Sequence, residues 1–401
     1  MTSTEWIERS DRVIMKTYGR YPIVPVRGEG CRLWDADGKE YLDFLAGVAV
    51  NNLGHCHPKV VAALKKQAET LIHCSNYYQI PQQIELAEIL CAHSFADRAF
   101  FCNSGAEANE AAIKLARKFS REKSGDPDRY GIITATDSFH GRTMATVSAT
   151  GQEKVQRFFD PLLHGFTHVP FDDLEALERA ITPTTCAVML EPIQGEGGVN
   201  IPSPGYLQGV RELCDRHGML LILDEVQVGI GRTGRLFAHE HFGVTPDIMT
   251  LAKALAGGAP IGVMLAREEI ASSFTPGTHG STFGGNPLVC AAGIAALRTI
   301  LEDGILNHTE EMGEYLLGEL HAVARRFSSI VRGVRGIGLM VGMSLSVPGA
   351  PLVAKGHEKG VLLNVTHDTV LRFVPPLIVT RGEVDQMIGI LVELLSEAGT
   401  W

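Results

Sequence analysis

No stretch of this chain is apolar for long enough to cross a bilayer: the best candidate, Leu288 to Leu297, is about half the length a spanning helix requires. Basic charge is also short. Lys and Arg number 36 against 46 Asp and Glu, a net charge of -10, which argues against nucleic acid or an anionic membrane surface as main partner, since both need clustered cations. No low-complexity tract or internal repeat is visible. The first dozen residues, Met1 to Arg12, contain acids and no apolar core, so a secretory signal is not expected. The eight cysteines, at 31, 56, 74, 91, 102, 186, 214 and 290, share no repeated spacing, which suits reduced thiols in a cytoplasmic protein better than a disulfide framework. His55-Cys56-His57 with His73-Cys74 matches no common zinc spacing, and Pro58 after it suits a turn and helix start, so no metal is expected.

What is present suits a folded globular chain: 401 residues, 45% hydrophobic and 20% charged, are enough for two packed regions. Val24 to Tyr41 reads as short strands with an Asp37-Gly38 hairpin turn. A helix is expected from Pro58 to Leu71. Strand-like runs then alternate with helical ones: Arg98 to Cys102 before a helix at 106–119, Ile132 to Ala135, Cys186 to Leu190 before a helix at 206–217, Leu220 to Leu223, Ile248 to Leu251 and Ile261 to Leu265. That order predicts an α/β fold with a mostly parallel sheet covered by helices. Beyond about residue 290, long helical periodicity (288–302, 309–327) precedes strands at 331–342 and 371–374 and a last helix at 382–397. We expect a smaller α+β region at 291–401, a large region at 56–290, and an amino-terminal segment, 1–55, that joins the smaller one.

Three features carry chemistry. Lys253 lies between the apolar runs ending at Leu251 and starting at Ile261, beside Gly257-Gly258. A desolvated lysine there has a lowered pKa and becomes a nucleophile toward carbonyls, whereas a surface lysine with a packed stem is the ordinary alternative. The turn Ser104-Gly105 before Ala106 opens a helix whose free amides point back at a strand end, a phosphate site by geometry and dipole, or else a simple cap. The strand Met219 to Leu223 ends in Asp224, and ligands sit beyond the carboxyl ends of strands in such sheets. Gly229-Ile-Gly-Arg-Thr-Gly234 satisfies a dinucleotide pattern, yet no helix opens within it and no acid follows about 20 residues on, so that reading is rejected. A phosphate cradle, a buried acid and a nucleophilic lysine together describe pyridoxal 5'-phosphate.

The strings Ser104-Gly-Ala-Glu-Ala-Asn109, Phe139-His-Gly-Arg-Thr143, Glu191-Pro-Ile-Gln-Gly-Glu-Gly-Gly198, Asp224-Glu-Val-Gln-Val-Gly-Ile-Gly-Arg-Thr-Gly234, Thr250-Leu-Ala-Lys253 and Ser281-Thr-Phe-Gly-Gly-Asn-Pro287 resemble the class III, ω-amino-acid aminotransferases. The match runs from about Tyr18 to the carboxyl terminus. It implies the type I fold of pyridoxal-phosphate enzymes: a large domain with a mostly parallel seven-stranded sheet plus a smaller α+β domain. It also implies a homodimer acting on small amino and 2-oxo acids. By that resemblance Lys253 holds the cofactor and moves the proton, and Asp224 pairs with the ring nitrogen. Ser104, Gly105 and Ala106 hold the phosphate with Thr282 of the other subunit, Phe139 stacks on the ring, and Gln227 lies by the phenolic oxygen. Arg142 clamps a substrate carboxylate, Ser281 lies by the substrate, and Glu196 and Arg372 form a switchable pair. Tyr18-Gly-Arg-Tyr21, Asn52-Leu-Gly-His-Cys-His-Pro58 and Arg372-Phe-Val-Pro-Pro376 resemble the branch that moves the δ-amino group of N2-acetyl-L-ornithine to 2-oxoglutarate in arginine biosynthesis. Ornithine, succinylornithine or 4-aminobutyrate remain open as donors, as does a non-catalytic sensor, which the acidic balance and the early start of the match disfavour. Val228 departs from the pattern, where relatives often carry a small polar residue or Cys, and no change in chemistry is expected from it.

Overall fold

A computed structural model describes residues 1–398. Seven strands form the large sheet, in the order 98–102, 262–266, 248–251, 220–224, 185–190, 131–135, 166–169. Strand Gly262–Ala266 is antiparallel to both neighbours, and the remaining pairings are parallel. The central strands are buried from end to end, which explains why they read as unbroken apolar runs. Several elements escaped the periodicity, among them helices Ser3–Val13, Leu174–Ala180 and Ala350–Glu358. Strand Phe166–Val169 is a four-residue edge, and helix Pro81–Ala92 spreads its apolar residues without a clean stripe.

Helix Gly105–Ser124 lies against the sheet through Ala108, Ala111, Ala112, Leu115 and Ala116, small residues that allow close approach. Ser104 caps it, its Oγ accepting the Glu107 N–H at 3.2 Å, and Gly125, at φ 70°, ends it in the left-handed region. The expected start at Ala106 is thus one residue late. Helix Pro287–Glu302 buries Val289, Ala292, Ala296 and Ile300 in the core on the other side of the sheet.

The amino-terminal strands Pro25–Glu29, Arg32–Asp35 and Glu40–Asp43 form a meander, and Val361–Leu362 adds a fourth, parallel strand to it. Leu42 and Phe44 consequently share one core with helices Ile305–Arg326 and Arg381–Ala398. A third sheet, ordered 331–337, 340–345, 370–373, 364–366, belongs to the same core and carries Arg372 toward the large sheet. None of the helices among the described residues is long and apolar enough to cross a membrane.

Candidate active site

Strands Thr185–Leu190, Leu220–Asp224 and Ile248–Leu251 end, and the capped helix begins, at one cavity of about 460 Å³, within the range of small-molecule sites. Ser104, Gly105, Ala106, Phe139, Arg142, Glu196, Asp224, Gln227 and Lys253, drawn from five separate stretches of sequence, all line it. Val228 lines it too, nearly fully buried among apolar neighbours.

Lys253 follows directly on strand Ile248–Leu251 and Ala252. Its φ of 44° lies in the region where a β-carbon crowds the backbone, a strain of about 1–2 kcal/mol that is commonest at functional positions. Burial pushes its pKa below the ordinary lysine value; Glu196 opposes that, Arg372 reinforces it, and Asp224 and Glu191 oppose it more weakly. The shift favours the neutral amine, the form that acts as nucleophile and base.

Asp224 ends its strand 4% exposed, and its carboxylate is fully engaged on the protein side. Oδ2 accepts from Asn109 Nδ2 at 2.7 Å and from His140 Nδ1 at 2.8 Å, and Oδ1 from the Val226 N–H at 3.0 Å. Asn109 is oriented in turn by Thr250, whose hydroxyl donates to its Oδ1 at 2.7 Å. Next to Asp224, at the end of the adjacent strand, Glu191 accepts the N–H groups of Phe139 and Gly195. Burial raises Glu191 to about 7, offset in part by His140 and increased by Asp224. Asn109, His140 and Glu191 sit inside the recognised strings without an expected role, because their partners come from other strands.

At the helix start, the first-turn amides have no acceptor within the helix. A β-carbon on Gly105 would stand 2.7 Å from Val226 Cγ1, so only glycine lets the helix approach the Asp224 loop this closely.

Arg372 does not line the cavity; it lies behind Glu196 and Gln227, which do, 2% exposed, and its Nη1 meets Glu196 Oε1 at 2.5 Å. The same Nη1 donates to Gln227 Oε1 at 3.0 Å, and Gln227 Nε2 donates to Glu196 Oε1 at 3.2 Å. Behind them Asn364 Oδ1 accepts from Arg372 Nε and Nη2 at 3.0 and 2.7 Å. Burial would raise Glu196, but the charge and hydrogen bond of Arg372, then Lys253 and Gln227, hold it below the usual carboxylate range. Arg142, by contrast, is exposed, its guanidinium carbon 5.4 Å from the centre of the Phe139 ring. Gln227 is thus placed in the Glu196–Arg372 cluster.

Ser281 and Thr282 do not line this cavity; they line a separate cleft with Asn76 and Tyr77. Ser281 still touches its rim, since Asn103 Nδ2 donates to Ser281 Oγ at 3.2 Å and Asn103 lines the cavity.

This arrangement fits pyridoxal phosphate on the chain's own geometry: a strained, desolvated lysine, a buried carboxylate and unsatisfied helix amides face one space. Comparison with known proteins agrees. Residues 13–395 match the family described as Aminotransferase class-III. The chain is 55% identical over 387 residues to an acetylornithine aminotransferase of Caldanaerobacter subterraneus subsp. tengcongensis, covering 96% of this chain and 98% of the relative. It is 53% identical over 400 residues to an acetylornithine aminotransferase of Methanocaldococcus jannaschii, covering 99% of each. A solved ornithine aminotransferase from Toxoplasma gondii, with PLP partly occupying its active site, superposes with a TM-score of 0.96 at 36% identity, covering 100% of this chain and 96% of that one.

Proposed function

The chain belongs to the class-III aminotransferases, a pyridoxal-phosphate-dependent family, and on that premise we propose that it moves the δ-amino group of N2-acetyl-L-ornithine to 2-oxoglutarate. The products are N-acetyl-L-glutamate 5-semialdehyde and L-glutamate, a step of arginine biosynthesis. Full-length relatives at 53–55% identity bear the acetylornithine name, which supports that donor over ornithine. The single observation that carries the reading is the contrast between two arginines, Arg142 open on the cavity and Arg372 buried behind the lining residues Glu196 and Gln227 and latched by Glu196.

When bound, pyridoxal phosphate supplies an electron-accepting ring on which an amino group can be exchanged. The chain's residues do the rest. Lys253 carries the cofactor, and its Nζ, freed when substrate arrives, removes the proton from the carbon bearing the amine. Asp224 would hold a proton on the ring nitrogen, Phe139 would cover the ring, and Gln227 would serve the phenolic oxygen. Ser104 and the Gly105 and Ala106 amides receive the phosphate.

Arg142 takes the carboxylate of the acetylated donor by its planar fork. With Glu196 on Arg372, the far wall then presents a neutral pair to the terminal amine, which has no carboxylate to offer. When glutamate enters, its α-carboxylate replaces Glu196 at Arg372. A permanently bare guanidinium would penalise the acetylated donor, and a permanently latched one would penalise glutamate.

We further propose a cytoplasmic homodimer in which Ser281 and Thr282 complete the partner's site. Supporting this, the cleft they line is bordered by Tyr77, 95% exposed, and Phe283 beside them is 60% exposed. The eight cysteines are all free thiols, as a reducing compartment keeps them. Relative kcat/KM for acetylornithine, ornithine and 4-aminobutyrate in equal-concentration competition tests the assignment. Acetylornithine should win; a wide margin for either other amine would leave the class standing and overturn the donor.

A further inference from the structure

Three buried polar atoms on or beside the large sheet find no protein partner among the described residues: Thr134 Oγ1, His140 Nε2 and His168 Nε2. Buried polar atoms without partners are rare enough to need an explanation. These three lie on one face of the sheet. Thr134 and His168 are register partners on strands Gly131–Ala135 and Phe166–Val169. Pairing of Ile133 with Val188, and Val188 with Leu221, puts Thr134 in line with Met189 and Ile222, both packed under helix Gly105–Ser124. Asp224 is two residues beyond Ile222, so its side chain rises from the same face.

His140 spans the gap. Its Nδ1 is bonded to Asp224, and its backbone N–H donates to Thr150 Oγ1 at 2.9 Å, at the end of helix Met144–Ala149. The backbone of Ala149 and Ser148 in turn lies against the ring of His168, which also senses the charge of His140. Three steps of about 4.8 Å between strands and two residues along the strand separate the Asp224 and His168 backbones by roughly 16 Å, a span that the two side chains, one imidazole and one bridging molecule can fill. His168 sits on the edge strand and is only half-buried.

We propose that an ordered water accepts the His140 Nε2–H and donates to His168 Nε2 and Thr134 Oγ1, so that a hydrogen-bond chain runs from the sheet edge to Asp224. The water then has three partners, the usual number for a buried one. Thr134 and His168 are positioning residues: they keep a proton on His140 Nε2 and so set the charge that Asp224 faces. The groups facing His140 are Asp224 and Glu191 at the ends of neighbouring strands and His168 from the edge, with neutral Asn109 and Thr150 above it. The proton assignment agrees with their balance. Burial would depress His140, but the hydrogen bond and charge of Asp224, with Glu191, carry it above the ordinary histidine value. Burial lowers His168, opposed by hydrogen bonds of its ring to the backbone of Ala149 and Ser148; a neutral ring that donates to that backbone through Nδ1 accepts at Nε2.

The inference rests on the role given to Asp224, but it is read without substrate. A crystal structure of the holoenzyme should show a water about 2.7–3.2 Å from His140 Nε2, Thr134 Oγ1 and His168 Nε2; a dry space there overturns the proposal. A nitrogen-15 titration of the holoenzyme should show both His140 ring nitrogens carrying protons up to a midpoint above the ordinary histidine value. In His168→Phe the midpoint of that titration should fall by about one pH unit, a tenfold change in protonation, and return in His168→Gln. An unchanged midpoint in His168→Phe overturns it as well. Should Asp224→Asn instead retain full turnover, the ring-nitrogen role would fail while the water and the His140 signal still stood.

Discussion

Replacing Glu196 with Gln removes the charge that latches Arg372 and keeps the shape. Arg372 would retain two hydrogen bonds to Asn364 and one to Gln227, all neutral, so the buried guanidinium stays in place. What is lost is one charge-assisted bond, 2.5 Å long, from a residue 2% exposed. Such bonds contribute about 1.5–3 kcal/mol. Because Glu196 itself is 31% exposed on its side chain, we take the lower end, about 1.5–2 kcal/mol. With tenfold per 1.4 kcal/mol, the ratio of kcat/KM for glutamate over acetylornithine should rise roughly 10–30-fold. Single-turnover half-reactions, followed by loss of the cofactor's visible band with each donor separately, read that ratio. A change below about twofold, or a shift toward acetylornithine, would show that Glu196 is a structural partner of Arg372 and not a latch.

Other outcomes follow from the same geometry. Asn364→Leu leaves Arg372 Nε and Nη2 without their acceptor, and KM for glutamate and 2-oxoglutarate should rise about tenfold with kcat little changed; equal losses in kcat would mean that Arg372 acts beyond binding. Glu191 carries its proton to about 7 in the folded chain against 4.5 unfolded. Folding therefore takes up a proton between those values, so this group's contribution to stability falls as pH rises through that window. Glu191→Gln lacks that loss, and its Tm relative to the parent should climb between pH 5 and pH 8; a flat difference would place the raised pKa elsewhere.

Reading order in the chain predicted the fold for a physical reason: the strands under helices on both faces are apolar throughout, and helix starts carry their own caps. Lys253, Asp224 and Gly105 were legible because each breaks a local rule, a cation, an acid or a glycine beside a buried run. Asn109, His140, Glu191 and Asn364 break none, and their importance lies in contacts 31 to 141 residues away for Asn109, or in a cross-strand pair within one sheet for Asn364 and Arg372. Ser281 and Thr282 show the reverse case, since the resemblance assigns them to a site that their own protomer does not bring them to. Helix Pro81–Ala92 and strand Phe166–Val169 stayed hidden because their burial comes from neighbours and not from pattern.

Everything in the account depends on Lys253 as the residue that carries the cofactor. Borohydride reduction of the purified protein followed by peptide mapping measures this directly. The cofactor-derived mass should appear on the peptide containing Lys253 and vanish in Lys253→Ala, together with turnover. A tag on another lysine, or Lys253→Ala working at the parent rate, would contradict it.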